Sequence, residues 1–348
     1  MKIGITHGDT NGVGYEVILK AMEDPTIMEL CTPVIYGSPK LASYHRKALE
    51  IETNFTTINN CNETEDGKMN VVECISEEVK VDLGQGTPES AQAAMKSLNA
   101  AIQDMKEGLI DVLVTNEVCK DQIKSLLPDF PGEQKYIQKQ IESEADPLTI
   151  LINEGLRVAL LTEDLPLNLV AASISQEKVL NALRTIDLTL RRDFMLSNPR
   201  IAVLALNPES GKEEEEILAP AIQQASEENI CAYGPLAADE FFGNDNYVHF
   251  DCVLAMYNDQ GHAPFRALSA EGGVRYTAGL PIVHTRPEHG CEFRIAGKGE
   301  MSPHQLLQAI FIAQDALRNR KNYDEARKDP LQKLYHDKRE DKKANNIE

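Results

Sequence analysis

The sequence predicts an α/β fold, and three observations carry that expectation. Apolar runs of strand length, such as Phe250–Tyr257, stop abruptly at polar turns, here Asn258-Asp259-Gln260-Gly261. Stretches with helical apolar spacing, such as Pro88–Met105, alternate with those runs. The 348 residues are enough to bury a sizeable core, as two domains or one large α/β unit. In an open parallel sheet, ligands collect beyond the carboxyl ends of strands, so the polar turns are where chemistry is expected.

Taken in order, KIGIT reads as a strand that passes through a glycine turn into a helix starting near Val13. A lone GxG before a helix is more often a tight turn than a phosphate cradle. Cys31–Ser38 reads as the next strand and Leu41–Leu49 as an amphipathic helix. Residues 52–69 are polar and unpatterned, which predicts a surface excursion. Asn70–Ile75 alternates as a strand, Pro88–Met105 is a helix, and Ile110–Lys120 is a buried strand ending in a polar loop. Phe130–Tyr136 reads as a loop, Gly155–Leu167 as a strand and its exit, and Ala171–Leu190 as one helix. Arg200–Pro208 is a strand ending at a turn, and Glu213–Glu216 suit the positive end of a helix dipole. Leu280–Val283 reads as a strand that ends in His284 and Thr285, so that it and Phe250–Tyr257 offer polar groups to one rim. Ser302–Arg320 is an amphipathic helix, and residues 321–348 alternate charge signs as a solvated helix or frayed tail.

Composition narrows the partners. There are 55 acidic and 35 basic residues, a net charge of −20, which argues against nucleic acid or an anionic membrane surface. No secretory pattern opens the chain and no apolar run is long enough for a bilayer. The seven cysteines are dispersed without a CxxC pair, so neither a disulfide framework nor a zinc ribbon is indicated and a reducing, cytoplasmic setting is expected.

The densest stretch is Ala255–Gly299, which gathers Tyr257, Asn258, Asp259, Gln260, Arg266, Arg275, His284 and His289 between glycines. Its AMYNDQG, GLP and HG…IAGKG segments resemble the 4-hydroxythreonine-4-phosphate dehydrogenase family of vitamin B6 synthesis, in which the first segment reads AMYHDQG. The family's T-x-G-[ED]-x-x-G-[IV]-G segment is matched by Thr6, Gly8, Asp9, Gly12, Val13 and Gly14, and its F-x-G by Phe130 and Gly132. The matches fall in the right order over residues 1–320.

The resemblance implies an isocitrate/isopropylmalate dehydrogenase-like architecture, two α/β/α lobes around a cleft. The first lobe would hold residues 1–130 and 275–320, the second 131–274, with the charged tail 321–348 outside both. It also implies a homodimer in which one subunit completes the other's site.

Carried over position by position, the catalytic residues become Lys120, Asp239 and Asp259, although a helix-cap lysine is an equally ordinary reading of Lys120. The substrate contacts become Glu133 and Gln134, where the family has His and Thr, with Arg266, Arg275 and His284 where it has Lys, Asn and Arg. The three metal histidines become Asp164, Glu209 and Asn258. Two carboxylates and an amide suit Mg²⁺, Mn²⁺ or Ca²⁺ better than Zn²⁺. The NAD loop keeps His289, Gly290, Ala296, Gly297 and Gly299, while Cys291 and Glu292 replace a Thr-Ala pair, so NAD binding is expected in weakened form. A carboxylate at 133 repels a phosphate dianion, so phosphorylated substrate should bind poorly. Arg266, Arg275 and Arg286, if inward, would suit a different anion.

Three functions stay open. The first is the family's metal-assisted, NAD-dependent oxidation and decarboxylation of a phosphorylated hydroxy amino acid, for pyridoxal phosphate synthesis. The second is an inactive paralogue that acts as a binding or regulatory protein. The third is a protein that binds a hard cation or an anion together with another small molecule.

Overall fold

The computed structural model describes residues 1–269 and 271–329. Its strands are β1 (Lys2–Thr6), β2 (Thr32–Gly37), β3 (Thr56–Ile58), β4 (Asn70–Glu73), β5 (Val112–Val114), β6 (Leu148–Ile152), β7 (Arg157–Leu160), β8 (Arg200–Leu204), β9 (Cys231–Leu236), β10 (Cys252–Ala255), β11 (Val274–Ala278) and β12 (His284–Pro287). They form one sheet in the order β3-β4-β2-β1-β5-β12-β11-β6-β7-β10-β8-β9.

The helices are α1 (Gly14–Ala21), α2 (Thr26–Leu30), α3 (Pro39–Ala48), α4 (Pro88–Lys106), α5 (Lys120–Leu126), α6 (Glu133–Gln140), α7 (Leu167–Ser173), α8 (Gln176–Arg192), α9 (Ala219–Glu227), α10 (Ala238–Gly243), α11 (Asn258–Leu268) and α12 (His304–Lys328). Alternation along the strands sends Ile3 and Ile5 into one core with α1, α8, α9 and α12. The opposite face is divided. Leu113 packs with α4, α5 and α6, while Leu151, Val158 and Leu160 pack with α10 and α11. This three-layer α/β arrangement is the predicted class.

Several expectations need correction. The sheet is mixed, because β11 runs antiparallel to β12 and β6, and β6 runs antiparallel to β7. The carboxyl ends of β10 and β12 therefore lie at opposite edges, and the rim expected from two strand ends does not exist in that form. His284 opens β12 instead of following a strand, because Gly279 (φ +88°) and Pro281 turn the chain between β11 and β12. Residues 52–69 contain β3, which pairs with β4. Phe130–Tyr136 includes the first turn of α6. The charged tail expected from 321 begins inside α12, which continues to Lys328, and its remainder, 330–348, lies outside the described residues.

The single helix expected over 171–190 is two, because Ser175 adopts an extended backbone and caps α8, its side chain accepting from Lys178 N. Ser175→Ala leaves that amide uncapped, and a loss of about 1 kcal/mol is expected in chemical denaturation. A Cβ on Gly14 would stand 1.8 Å from the His7 carbonyl oxygen, so the β1–α1 turn admits only glycine there.

Candidate functional site

The site begins with strand register. Arg275 pairs with Arg286 and Leu151, Thr277 pairs with Thr149, and His284 pairs with Leu113. Alternation places Thr149, Arg275, Thr277, His284 and Arg286 on one face of the sheet, in the gap between the two groups of helices that cover it. A polar strip therefore crosses the middle of an otherwise apolar face.

α6 lays its amino terminus over that strip. Gly132, with φ +94°, turns the chain so that the first helical residue, Glu133, points into it. Thr115 donates to Glu133 Oε1, and Thr115 Oγ1 lies 2.9 Å from His284 Nε2. His284 Nδ1 lies 2.8 Å from Thr277 Oγ1, and its Nε2 is 3.4 Å from Glu133 Oε1. Glu133 is 7% exposed and His284 is fully buried, so the chain Glu133–Thr115–His284–Thr277 runs from the cleft wall into the interior. Burial pushes the Glu133 carboxyl up, but the His284 hydrogen bond and the nearby Arg286 charge outweigh it and hold it below the usual carboxylate range. Gln134 donates from its amide to Thr149 Oγ1 at 2.8 Å.

The arginines are paired within the chain. Arg286 donates to Glu117, and Arg275 donates to Glu163 at 3.1 Å and lies 3.9 Å from Glu288. Arg266 reaches Glu288 at 3.0 Å, and His262 contacts the same carboxylate. Burial pulls the Arg286 guanidinium down, yet Glu117, Glu133 and Glu163 together hold it above its ordinary range. Burial and the Arg286 charge lower Arg275. Lys120 opens α5 and donates to Asp164 at 3.0 Å, which outweighs the effect of burial and keeps that carboxyl below its ordinary range.

A cleft of ≈ 960 Å³ runs from this strip past Leu148 and Gly279 to α8. Lys120, Glu133, Gln134, Asp164 and Arg275 line it, and His284 stands directly behind Glu133. Asp239, Asp259, Glu209, Asn258 and Arg266 are not on its wall, and the first three are exposed in the first turns or loops that carry them.

The donors expected for a metal fit one poorly as this chain places them. The Asp164 carboxylate already has the Lys120 ammonium, the Asn258 amide donates to Asp259 at 3.2 Å, and Glu209 sits on an exposed turn. Among the described residues, no three His, Cys, Asp or Glu side chains gather in a metal-binding group.

The loop 289–299 retains a shape that could hold a dinucleotide. Gly297 and Gly299 have φ of +77° and +70°, and the buried His289 Nε2 has no partner among the described residues. Its carboxyl side is held by α1, where Lys20 donates to the Gly299 and Met301 carbonyls at 2.8 Å and Glu16 accepts from Met301 N. Its amino side is docked on the first glycine turn, with Val13 N donating to the Cys291 carbonyl at 3.1 Å.

Sequence reasoning gave no site role to Glu117, Glu163 and Glu288, the partners that neutralise the arginines, or to Thr115, Thr149 and Thr277, which link the strip together. A signal for the first three was present. Each lies in a motif that also supplies a proposed site residue: Glu117 before Lys120, Glu163 beside Asp164 and Glu288 beside His289.

Comparison with known proteins accords with this frame. The family described as pyridoxal phosphate biosynthetic protein PdxA matches residues 29–313. The chain is 48% identical to the 4-hydroxythreonine-4-phosphate dehydrogenase of Bacteroides thetaiotaomicron, over 98% of this chain and 95% of that protein. It is 33% identical to a putative D-threonate 4-phosphate dehydrogenase of Oceanobacillus iheyensis, over 89% of this chain and 96% of the other. Among solved structures, a 4-hydroxythreonine-4-phosphate dehydrogenase from Burkholderia phymatum superimposes with a TM-score of 0.73 at 28% identity, covering 91% of this chain and 97% of that one. The one from Klebsiella pneumoniae gives 0.77 at 25% identity, covering 91% and 98%. With its three-layer fold and its motifs in order, the chain belongs to the PdxA family of pyridoxal phosphate biosynthetic proteins.

Proposed function

We propose that this chain is a non-oxidising member of the PdxA family, which keeps the fold and uses the cleft to bind a small molecule. One observation carries the reading. Lys120, Arg275 and Arg286, the cations of the cleft wall nearest Glu133, are matched to Asp164, Glu163 and Glu117 of the same chain, while Lys135 and Lys178 line the cleft farther from the strip. At the strip, a phosphate dianion would have to displace Glu163 or Glu117 from its largely buried arginine and meet Glu133 as well, and breaking a buried pair costs about 3–5 kcal/mol. Of the residues placed for catalysis by resemblance, Lys120 lines the cleft bonded to Asp164, and Asp239 and Asp259 are exposed away from the cleft wall of the same subunit.

A division into lobes of 1–130 with 275–320 and 131–274 is part of this reading, as are a homodimer and a cytoplasmic setting. The strand order supports the division, since β3, β4, β2, β1, β5, β12 and β11 lie together on one side of β6. Among the described residues no helix is long and apolar enough to cross a membrane.

The retained loop favours a second reading, an active dehydrogenase of hydroxy acids. His289, Gly290, Ala296, Gly297 and Gly299 would then hold NAD, which when bound supplies a hydride acceptor. Titration calorimetry of the chelator-stripped protein with NAD, alone and with Mg²⁺, Mn²⁺ or Zn²⁺, separates the two. Weak or absent NAD binding that no metal strengthens is expected, whereas metal-dependent NAD binding supports the dehydrogenase.

A further inference from the structure

Glu133 carries more information than its place in the network requires. It lines the cleft, it is held in its ionised form, and only one of its two oxygens is used. Oε1 accepts from Thr115, while Oε2 is buried without a hydrogen-bond partner among the described residues. A buried carboxylate oxygen without a donor is costly, so a group that brings one is held strongly.

The charges around it set the sign of that donor. Glu117, Glu133, Glu163 and Glu288 face Arg266, Arg275 and Arg286, four carboxylates against three guanidiniums, and each guanidinium is already bonded to a carboxylate other than Glu133. The side chain of Arg275 also keeps an Nε without a partner, which gives the same wall one unused donor. An ionised acceptor that lacks a donor, with an unused guanidinium N–H near it, selects a cation that carries an acceptor group, and it disfavours a dianion in the same place.

We propose that the cleft binds a small, phosphate-free molecule through its ammonium group, with the Glu133 carboxylate as the counter-charge and Arg275 as donor to an oxygen of the same ligand. This assignment rests on the ligand-binding reading above and names the ligand class for that cleft. It also gives the substitution at 133 a positive role, since the carboxylate that repels a phosphate attracts an amine.

The test is titration calorimetry of the full chain with ethanolammonium, L-threonine, O-phospho-L-threonine and inorganic phosphate. L-threonine, which offers both an ammonium and a carboxylate, should bind most tightly and ethanolammonium less so. O-phospho-L-threonine should bind at least about tenfold more weakly than L-threonine, and inorganic phosphate should give no heat. Glu133→Gln keeps the size and the acceptor for Thr115 but removes the charge, and it should weaken both ammonium probes by about tenfold or more. The ranking of probes on the unaltered protein needs no variant, so it stands even if Glu133→Gln folds poorly. Phosphorylated probe bound as tightly as L-threonine, ammonium probes indifferent to Glu133→Gln, or no ammonium binding at all would each overturn the assignment. NADH formation would instead overturn the non-oxidising reading and leave the ammonium contact to be judged by these titrations.

Discussion

Asp193→Ala is expected to destabilise the protein by about 3–5 kcal/mol, because it strands a buried arginine. Asp193 caps α8, is 2% exposed, and accepts from Arg320 Nε and Nη2, both at 2.8 Å, and from Tyr276 Oη at 2.7 Å. Arg320, 6% exposed on α12, also donates to the Leu280 and Pro281 carbonyls at 3.2 and 2.9 Å. One carboxylate thus ties α8, α12, β11 and the turn that leads into His284. Urea denaturation measures the effect directly. Asp315→Ala, which removes the exposed partner of Arg318, is the control and should change stability by less than about 1 kcal/mol. The double variant Asp193→Leu with Arg320→Leu should recover part of the loss, since no unpaired charge is left buried. A single variant as stable as the parent would remove this carboxylate from the account.

Acid should weaken the protein well before its carboxylates protonate. His7 and His45 sandwich Tyr15, with ring centroids 4.9 and 5.0 Å away, and the two histidines are 0% and 2% exposed. Burial is the main cause that lowers His7 to about 3 and His45 to about 4. Both rings are therefore neutral in the fold over a range where the unfolded chain, with a value of 6.5, already binds protons. Their contribution is fully present above pH 6.5 and is lost as the pH falls from there toward about 4. At about pH 5 the expected loss is about 2 kcal/mol per imidazole relative to neutral pH. The depressed carboxyls Glu133 and Glu288 lose their contributions only at lower pH, so the interval between about 6.5 and 5 reports the histidines. Denaturation of His45→Gln at the two pH values should show a difference about 2 kcal/mol smaller than the parent's. An unchanged pH dependence would place the acid sensitivity elsewhere.

The parts of the fold that were legible in the sequence are those with long, regular patterns. α4 and α12 were visible because their apolar spacing persists for several turns, and β8 and β10 because their apolar runs end at sharp polar turns. β3 was not visible, since Thr56-Thr57-Ile58 has no alternation of its own and becomes a strand by pairing with β4. β12 was misplaced by four residues because LPIV is apolar in a turn that Gly279 and Pro281 force.

For the site, sequence placed Glu133, Gln134, Arg266, Arg275 and His284 in one list, and the structure puts Arg275 and His284 on one strip of the sheet, lays Glu133 and Gln134 over it from α6 and leaves Arg266 off the cleft wall. What composition and motif spacing could not give is pairing. That Arg286 faces Glu117 and Arg275 faces Glu163 depends on β12 lying between β5 and β11, an order that no local pattern encodes.

The central claim is that the cleft's own ion pairs have taken the place of the oxidation that the family's name implies. The most direct measurement is NADH formation from 4-hydroxythreonine 4-phosphate and NAD, with Mg²⁺, Mn²⁺ or Zn²⁺ supplied in turn and the Bacteroides thetaiotaomicron relative as the positive control. The expected result is NADH from the control and none above background from this chain. Metal-dependent turnover by this chain at a rate comparable to the control would contradict the account.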